Sequence, residues 1–305
     1  TVINQGLCSS DKTVDITFVD APNFVPNINY ECDNTAENYR FTIDVEKGDA
    51  PTRKIIDAYF NGNNPLGGSF IDADTWQSDW IPQGTGFELK VNDNNDCNRD
   101  LFKDTHDCPC LTGIGNLDLT PIILCSDGTA TTGPRYDNTG VTDGNDFIKF
   151  VLYDGSSNSP LTGTVLKIND NGTFVFDPNT MQLGKTYFVA VFKGNFDPVT
   201  GNVNSKDRCA KVTPGIPVTW YAYPVPLING NNLLTCTVVT LNLNSNGTTT
   251  GSGQTANYSW STVDGNIVGS KTNANIDIDK PGTYTLDVID PVSGCPGKTT
   301  FKVNQ

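Results

Sequence analysis

The chain has 305 residues, nine cysteines, one methionine, one histidine and a formal net charge of −14. That balance argues against nucleic acid or an anionic membrane surface as a partner. The longest apolar run, around Pro121-Ile122-Ile123-Leu124-Cys125, is far short of the ~20 residues that span a bilayer, so no membrane insertion is expected. Scattered cysteines without a Cys-x-x-Cys pair fit disulfides and an oxidising, extracellular compartment better than zinc or thioredoxin-like chemistry.

Residues 1–24 read as the closing strand of a preceding domain plus a linker. Val14 to Pro22 has a later copy in Ile216 to Pro224, and Cys8 stands where Cys209 stands. Residues 25–112 read as a first β domain, A1, with strands Tyr39 to Val45 and Lys54 to Phe60, a turn at Asn61-Gly62, and the stretch Gly84-Thr85-Gly86-Phe87-Glu88-Leu89-Lys90-Val91. That last stretch recurs as Gly184 to Val191 and as Gly282 to Asp290, roughly one small domain apart each time. In every copy the apolar residues fall at alternate positions, the pattern of a strand with one buried face.

Residues 113–222 read as a domain of a second type, B, with strands Phe147 to Tyr153, Val165 to Ile168, Thr173 to Phe176 and the Tyr187 strand. Asp-Gly or Asn-Gly steps at 127, 143, 154 and 171 predict hairpin turns there. Residues 223–305 read as a second A domain, A2, with strands Thr237 to Leu243, Tyr258 to Thr262, Asn275 to Asp279, Tyr284 to Ile289 and Thr300 to Val303. No stretch keeps a 3.6-residue period, and many short strands between turns predict repeated all-β sandwiches of two alternating types. Proline-rich links at Pro22 to Pro26 and Pro214 to Pro226 predict stiff joints and an extended rod.

With one bridge assumed inside each domain, the cysteines predict Cys125–Cys209, Cys236–Cys295 and, by the A-domain copy, Cys32–Cys97. Cys8 is left without a partner. Cys108 and Cys110 are left between bridging each other and pairing with Cys97 and Cys32 in another connectivity. The copy of Cys108-Pro109-Cys110 after Cys295 would fall just past Gln305, so the chain reads as a window on a longer polymer.

No catalytic constellation stands out. His106 is the single histidine, and there is no GxSxG, HExxH or phosphate-cradling loop, so the expectation is a protein that is not an enzyme. No cofactor is expected other than calcium, for which Asp93, Asp96, Asp143 and Asp146, and also Asp72-Ala73-Asp74, offer hard oxygen ligands. Ordinary turn chemistry is the competing explanation of such runs. Trp76, Trp80, Trp220, Tyr221 and Tyr223 are candidate ligand contacts through their rings, with core packing as the alternative. Trp260, between Cys236 and Cys295, is expected to pack in a sandwich core near the bridge those two would form.

The pattern Trp260 … Gly282-Thr283-Tyr284-Thr285-Leu286 … Gly294-Cys295 resembles the PKD-like and immunoglobulin-like repeats of giant surface adhesins from Bacteroidota. Cys108-Pro109-Cys110-Leu111-Thr112-Gly113 … Cys125-Ser126-Asp127-Gly128, with Asp207-Arg208-Cys209, is similar to the alternating modules of the same proteins. The resemblance implies export to the cell surface and a filamentous adhesin of the gliding-motility kind. Its partners would be neighbouring repeats of the same polypeptide, with surface glycans or other fibre chains beyond them. A carbohydrate-binding array and an accessory region of a secreted enzyme are the alternatives.

Overall fold

A computed structural model describes residues 2–3, 9–10, 13–18, 20–46, 48, 54–92, 99–158 and 163–305. The architecture is all-β, and the chain divides into two compact units, Thr1–Leu111 and Thr112–Gln305. In the first unit, strands Asn23–Cys32, Asn38–Glu46, Thr75–Ser78 and Gly68–Phe70 form one sheet, and Arg99–Thr105, Gly86–Asn92, Ile55–Phe60 and Asn64–Pro65 form the other. Alternation along Asn38–Glu46 turns Tyr39, Phe41, Ile43 and Val45 inward, and Phe41 stacks on Phe87 of the opposite sheet at 4.0 Å between ring centroids.

The second unit holds two sandwich cores. One sheet of the first runs Ile122–Cys125, Ile216–Tyr221, Thr186–Asp197, Asp146–Asp154, Thr164–Asn169, with the opening pair parallel. It closes over the short pair Thr129–Thr131 and Thr173–Val175 around Phe150, Phe174, Val189, Val218 and Trp220. The other sandwich stacks Leu241–Asn244, Asn275–Lys280 and Asn266–Val268 on Asn257–Thr262, Gly282–Ile289 and Pro296–Val303, with Trp260 at its centre.

The thrice-written stretch is a central core strand each time. Phe87, Leu89 and Val91, Tyr187, Val189 and Val191, and Tyr284, Leu286 and Val288 are all buried. Gly84 and Gly184 launch their copies with left-handed φ of 71° and 77°, which glycine adopts without steric cost. Gly282 has a different reason, because a Cβ there would lie 2.6 Å from Gly265 N.

Several expectations are corrected. Residues 13–18 form no strand, and Val14, Ile16 and Phe18 stand exposed at 72, 72 and 90 %. A strand requires a ladder partner for its backbone groups, and none of the described residues supplies one. Pro22 to Pro26 is no free link, because Asn23–Cys32 runs through it and takes Pro26 at an irregularity between Phe24 and Ile28, where a missing N–H is tolerated. Likewise Ile216–Tyr221 occupies much of the Pro214 to Pro226 stretch. The strand expected over Thr237 to Leu243 is ordered only as Leu241–Asn244. Of the four glycine steps, only Asp154-Gly155 lies between strands that pair, and Asn171-Gly172 instead carries the chain from one sheet to the facing one.

The bridges differ most. Cys32 pairs with Cys108, and Cys125 pairs with Cys295, whereas Cys236 is an exposed free thiol. Cys110 and Cys209 are each disulfide-bonded. The expected Cys125–Cys209, Cys236–Cys295 and Cys32–Cys97 bridges are therefore replaced; Cys8 and Cys97 lie outside the described residues. The physical reason lies in how the two sandwiches of the second unit meet. Cys125 ends a strand in parallel register with Tyr221, immediately before the third domain begins. The hairpin end at Cys295 abuts the same link, where Gly297 is so close that a Cβ would lie 2.7 Å from Pro224 O. The two Cα atoms are 5.6 Å apart, within bridging range.

Candidate functional site

The junction stapled by Cys125–Cys295 is the first candidate. Tyr223 donates its hydroxyl to Asp127 Oδ1 at 2.6 Å, and Gly251 packs so tightly on Ala222 that a Cβ would lie 2.2 Å from its carbonyl oxygen. Asp290, fully buried near the bridge, accepts N–H groups from Ser252 (2.7 Å), Val292 (2.9 Å) and Ser293 (3.2 Å). Burial alone would raise its pKa, but these donors outweigh burial and hold the carboxyl below its ordinary value. The arrangement is a covalent, hydrogen-bonded joint with no concave chemistry of its own.

The candidate aromatics separate by burial. Trp76 is in the core against Phe41, and Trp220 is wholly buried with Nε1 donating to Gly128 O at 2.8 Å, so both are corrected from ligand contacts to packing. Trp80 is 43 % exposed beneath the Arg40 guanidinium, 4.7 Å from its ring centroid. Tyr221 is half-buried and Tyr223 exposed. Trp260 is a core residue, with Nε1 donating to Asn273 O at 3.0 Å.

His106 stacks flat on Tyr30 at 4.2 Å and lies beside Cys32 and Cys108. Those two sulfurs are bonded to each other, so no thiolate is presented to a metal. Asp93 and Asp96 lie outside the described residues. At Asp72-Ala73-Asp74 a cation is already present, because Lys54 Nζ donates to Asp74, to Ala73 O (3.1 Å) and to Val45 O. Asp72 itself accepts the N–H groups of Asp74 and Thr75, which lower its pKa and make the loop a turn.

Asp143 and Asp146 come together at one end of the middle sandwich. Both face the Thr112 hydroxyl, with Asp143 Oδ2 at 3.2 Å and Asp146 Oδ1 at 3.1 Å, and Asp146 Oδ2 accepts the Asp143 N–H at 3.2 Å. Burial, then the neighbouring Asp146 and, more weakly, Asp207, push the Asp143 carboxyl up. Sequence reasoning passed over the rest of this neighbourhood: Thr112, Lys193, Asn195 and Asp207. The strand alternation contained a signal, since the buried frame of Tyr187, Val189 and Val191 continues into Lys193 and Asn195, polar residues at core positions.

No family model matches the sequence, and no curated protein matches it. Among solved structures, a set of titin domains aligns with a TM-score of 0.33 and 10 % identity over 94 % of this chain and 100 % of that one. Extracellular domains 3–5 of Drosophila OTK give 0.31 and 9 % over 89 % and 93 %. A Ca2+-stabilized adhesin with which an Antarctic bacterium binds ice gives 0.33 and 10 % over 90 % and 72 %. The chain's own sheets establish tandem immunoglobulin-like β-sandwiches. Its bridges are those of an oxidising compartment, and among the described residues no helix is long and apolar enough to cross a membrane.

Proposed function

We propose that this chain is a structural segment of a long extracellular surface fibre, in which disulfide-stapled sandwiches space or present adhesive surfaces. The carrying observation is Cys125–Cys295, a bridge spanning 170 residues that ties one sandwich to the next rather than closing a single domain. Chain tension entering at Cys125 passes directly to Cys295, so the residues between them are shielded from load. Cys32–Cys108 shields another 76-residue span in the first unit. Such staples suit a protein pulled from its ends. The finer assignment, a cell-surface adhesin of the gliding-motility type whose repeats contact one another and whose outer partners are glycans or neighbouring fibres, rests on the sequence resemblance. On this reading the segment is not an enzyme.

The test is binding of the oxidised chain to an array of glycans and surface polymers, with calcium and with chelator. Saturable binding is the expected result if these sandwiches are adhesive in themselves. No binding in either condition limits them to spacing, and free thiols at Cys125 and Cys295 in the secreted protein would remove the support for both roles.

A further inference from the structure

Where the core of the middle sandwich ends, its inward face turns from apolar to polar. Lys193 and Asn195 follow Val191 on the buried side of Thr186–Asp197, and both are buried almost completely. The Lys193 ammonium meets Gly113 O (2.9 Å), Gly140 O (3.1 Å), Val141 O (2.7 Å) and Thr142 Oγ1 (3.0 Å). Its three protons are thus spent on neutral oxygens.

Two residues further along, opposite Asn195, lies Asp146, whose carboxylate accepts the Asp143 N–H. The Thr112 hydroxyl carries one proton but faces both Asp143 and Asp146, so only one contact is a hydrogen bond and the other sets oxygen against oxygen. Asp143 is only 9 % exposed, and its Oδ1 is buried without a donor among the described residues, as is Asn145 Oδ1. A buried carboxylate oxygen with no donor, beside a second carboxylate, is costly unless a cation meets it. Asn195 stands directly opposite Asp146 in the sheet. Behind it Asp207 accepts the N–H groups of Asn195 (2.9 Å) and Cys209 (2.8 Å) and adds a third negative charge.

We propose that Asp143, Asn145 and Asp146, with the side-chain oxygen of Asn195, form a calcium-binding site. The donors are all hard oxygens, with no imidazole or thiolate that would favour zinc. They combine carboxylates with neutral amides in an irregular arrangement, which calcium tolerates and magnesium, with its octahedral demand and tightly held water, does not. The two carboxylates that face Thr112, Asp143 and Asp146, supply two negative charges to a bound ion, which one divalent cation cancels. The ion ties the loop 140–146 to the strand end at Asn195 and to Thr112, ordering the end of the domain at which the second compact unit begins.

The test is titration calorimetry of CaCl2 into the full oxidised chain after exhaustive chelation, paired with thermal melting. Wild type is expected to take up one calcium saturably at this site and to melt roughly 5–10 °C higher at a hundredfold excess over Kd, with no comparable rise in MgCl2. Asp143→Asn/Asp146→Asn is expected to lose both responses, while Asp277→Asn/Asp279→Asn, which alters exposed acids of the third sandwich, keeps them. In chelator the Asp143→Asn chain should melt no lower than wild type, because a like-charged contact is relieved, so loss of binding is separable from loss of fold. If the double variant does not fold, Asn145→Ala should still weaken calcium at least tenfold. Absence of saturable uptake by wild type, an equal response to magnesium, or uptake unchanged in both the double variant and Asn145→Ala overturns the site.

Discussion

Single side chains with the same sequence signature end in opposite environments. Trp220 and Trp80 both sit in mixed polar and apolar surroundings in the sequence, yet one is sealed between sheets and the other lies under an arginine at the surface. Trp220→Ala is expected to cost about 3–5 kcal/mol, from lost burial plus the carbonyl of Gly128 left without its donor. Trp80→Ala should cost less than about 1 kcal/mol, the scale of an exposed cation–π contact. Urea unfolding of both variants checks this, and equal losses would contradict the burial assigned to Trp220. The nine core residues of the thrice-repeated stretch were legible because alternation is a local property of the chain. Trp220 and Trp76 were not, since an aromatic ring satisfies a core and a ligand platform equally well until its neighbours are known.

At the scale of elements, strands that find ladder partners formed as alternation predicts, and the one that does not is exposed. Val14, Ile16 and Phe18 copy the spacing of Ile216, Val218 and Trp220, but the latter strand lies between Ile122–Cys125 and Thr186–Asp197, which supply its hydrogen bonds and its buried face. The turn after Gly282–Ile289 depends on one buried carboxylate, Asp290, and this yields a pH dependence with a definite sign. Its folded pKa is below the unfolded value of about 3.9, so the stabilisation is complete above that pH and is lost as pH falls through the folded value. Urea midpoints measured from pH 7 down to pH 2 should drop steeply at the acid end for wild type. Asp290→Asn should be less stable at pH 7 by about 1–3 kcal/mol and show a shallower acid loss. An identical acid limb in the two proteins would place the pH sensitivity elsewhere, for example in the exposed Asp118 and Asp137 and the half-buried Asp197, whose pKa values are also lowered.

For the whole molecule, covalent connectivity governs the response to force. With Cys32–Cys108 and Cys125–Cys295 intact, the spans of 76 and 170 residues they close do not extend when the chain is pulled from its ends. Full reduction should release roughly 27 nm and roughly 60 nm of additional contour, at about 3.5 Å per extended residue. Single-molecule extension with and without reductant measures this directly, and the same contour length in both states would refute the staples. The free Cys236 takes no part in that load path.

By itself the sequence determined the all-β class, the repeated core strand, the acidic exterior and the oxidising compartment, because alternation, turn residues and cysteine content are properties of short stretches or of the whole composition. Tertiary structure decided which cysteines meet, which tryptophans are sealed and which polar groups lie stranded at Asp143. Spacing along the chain does not say which strand ends face each other: Cys125 and Cys295 became neighbours only when a parallel edge strand and a hairpin end converged on the same proline link.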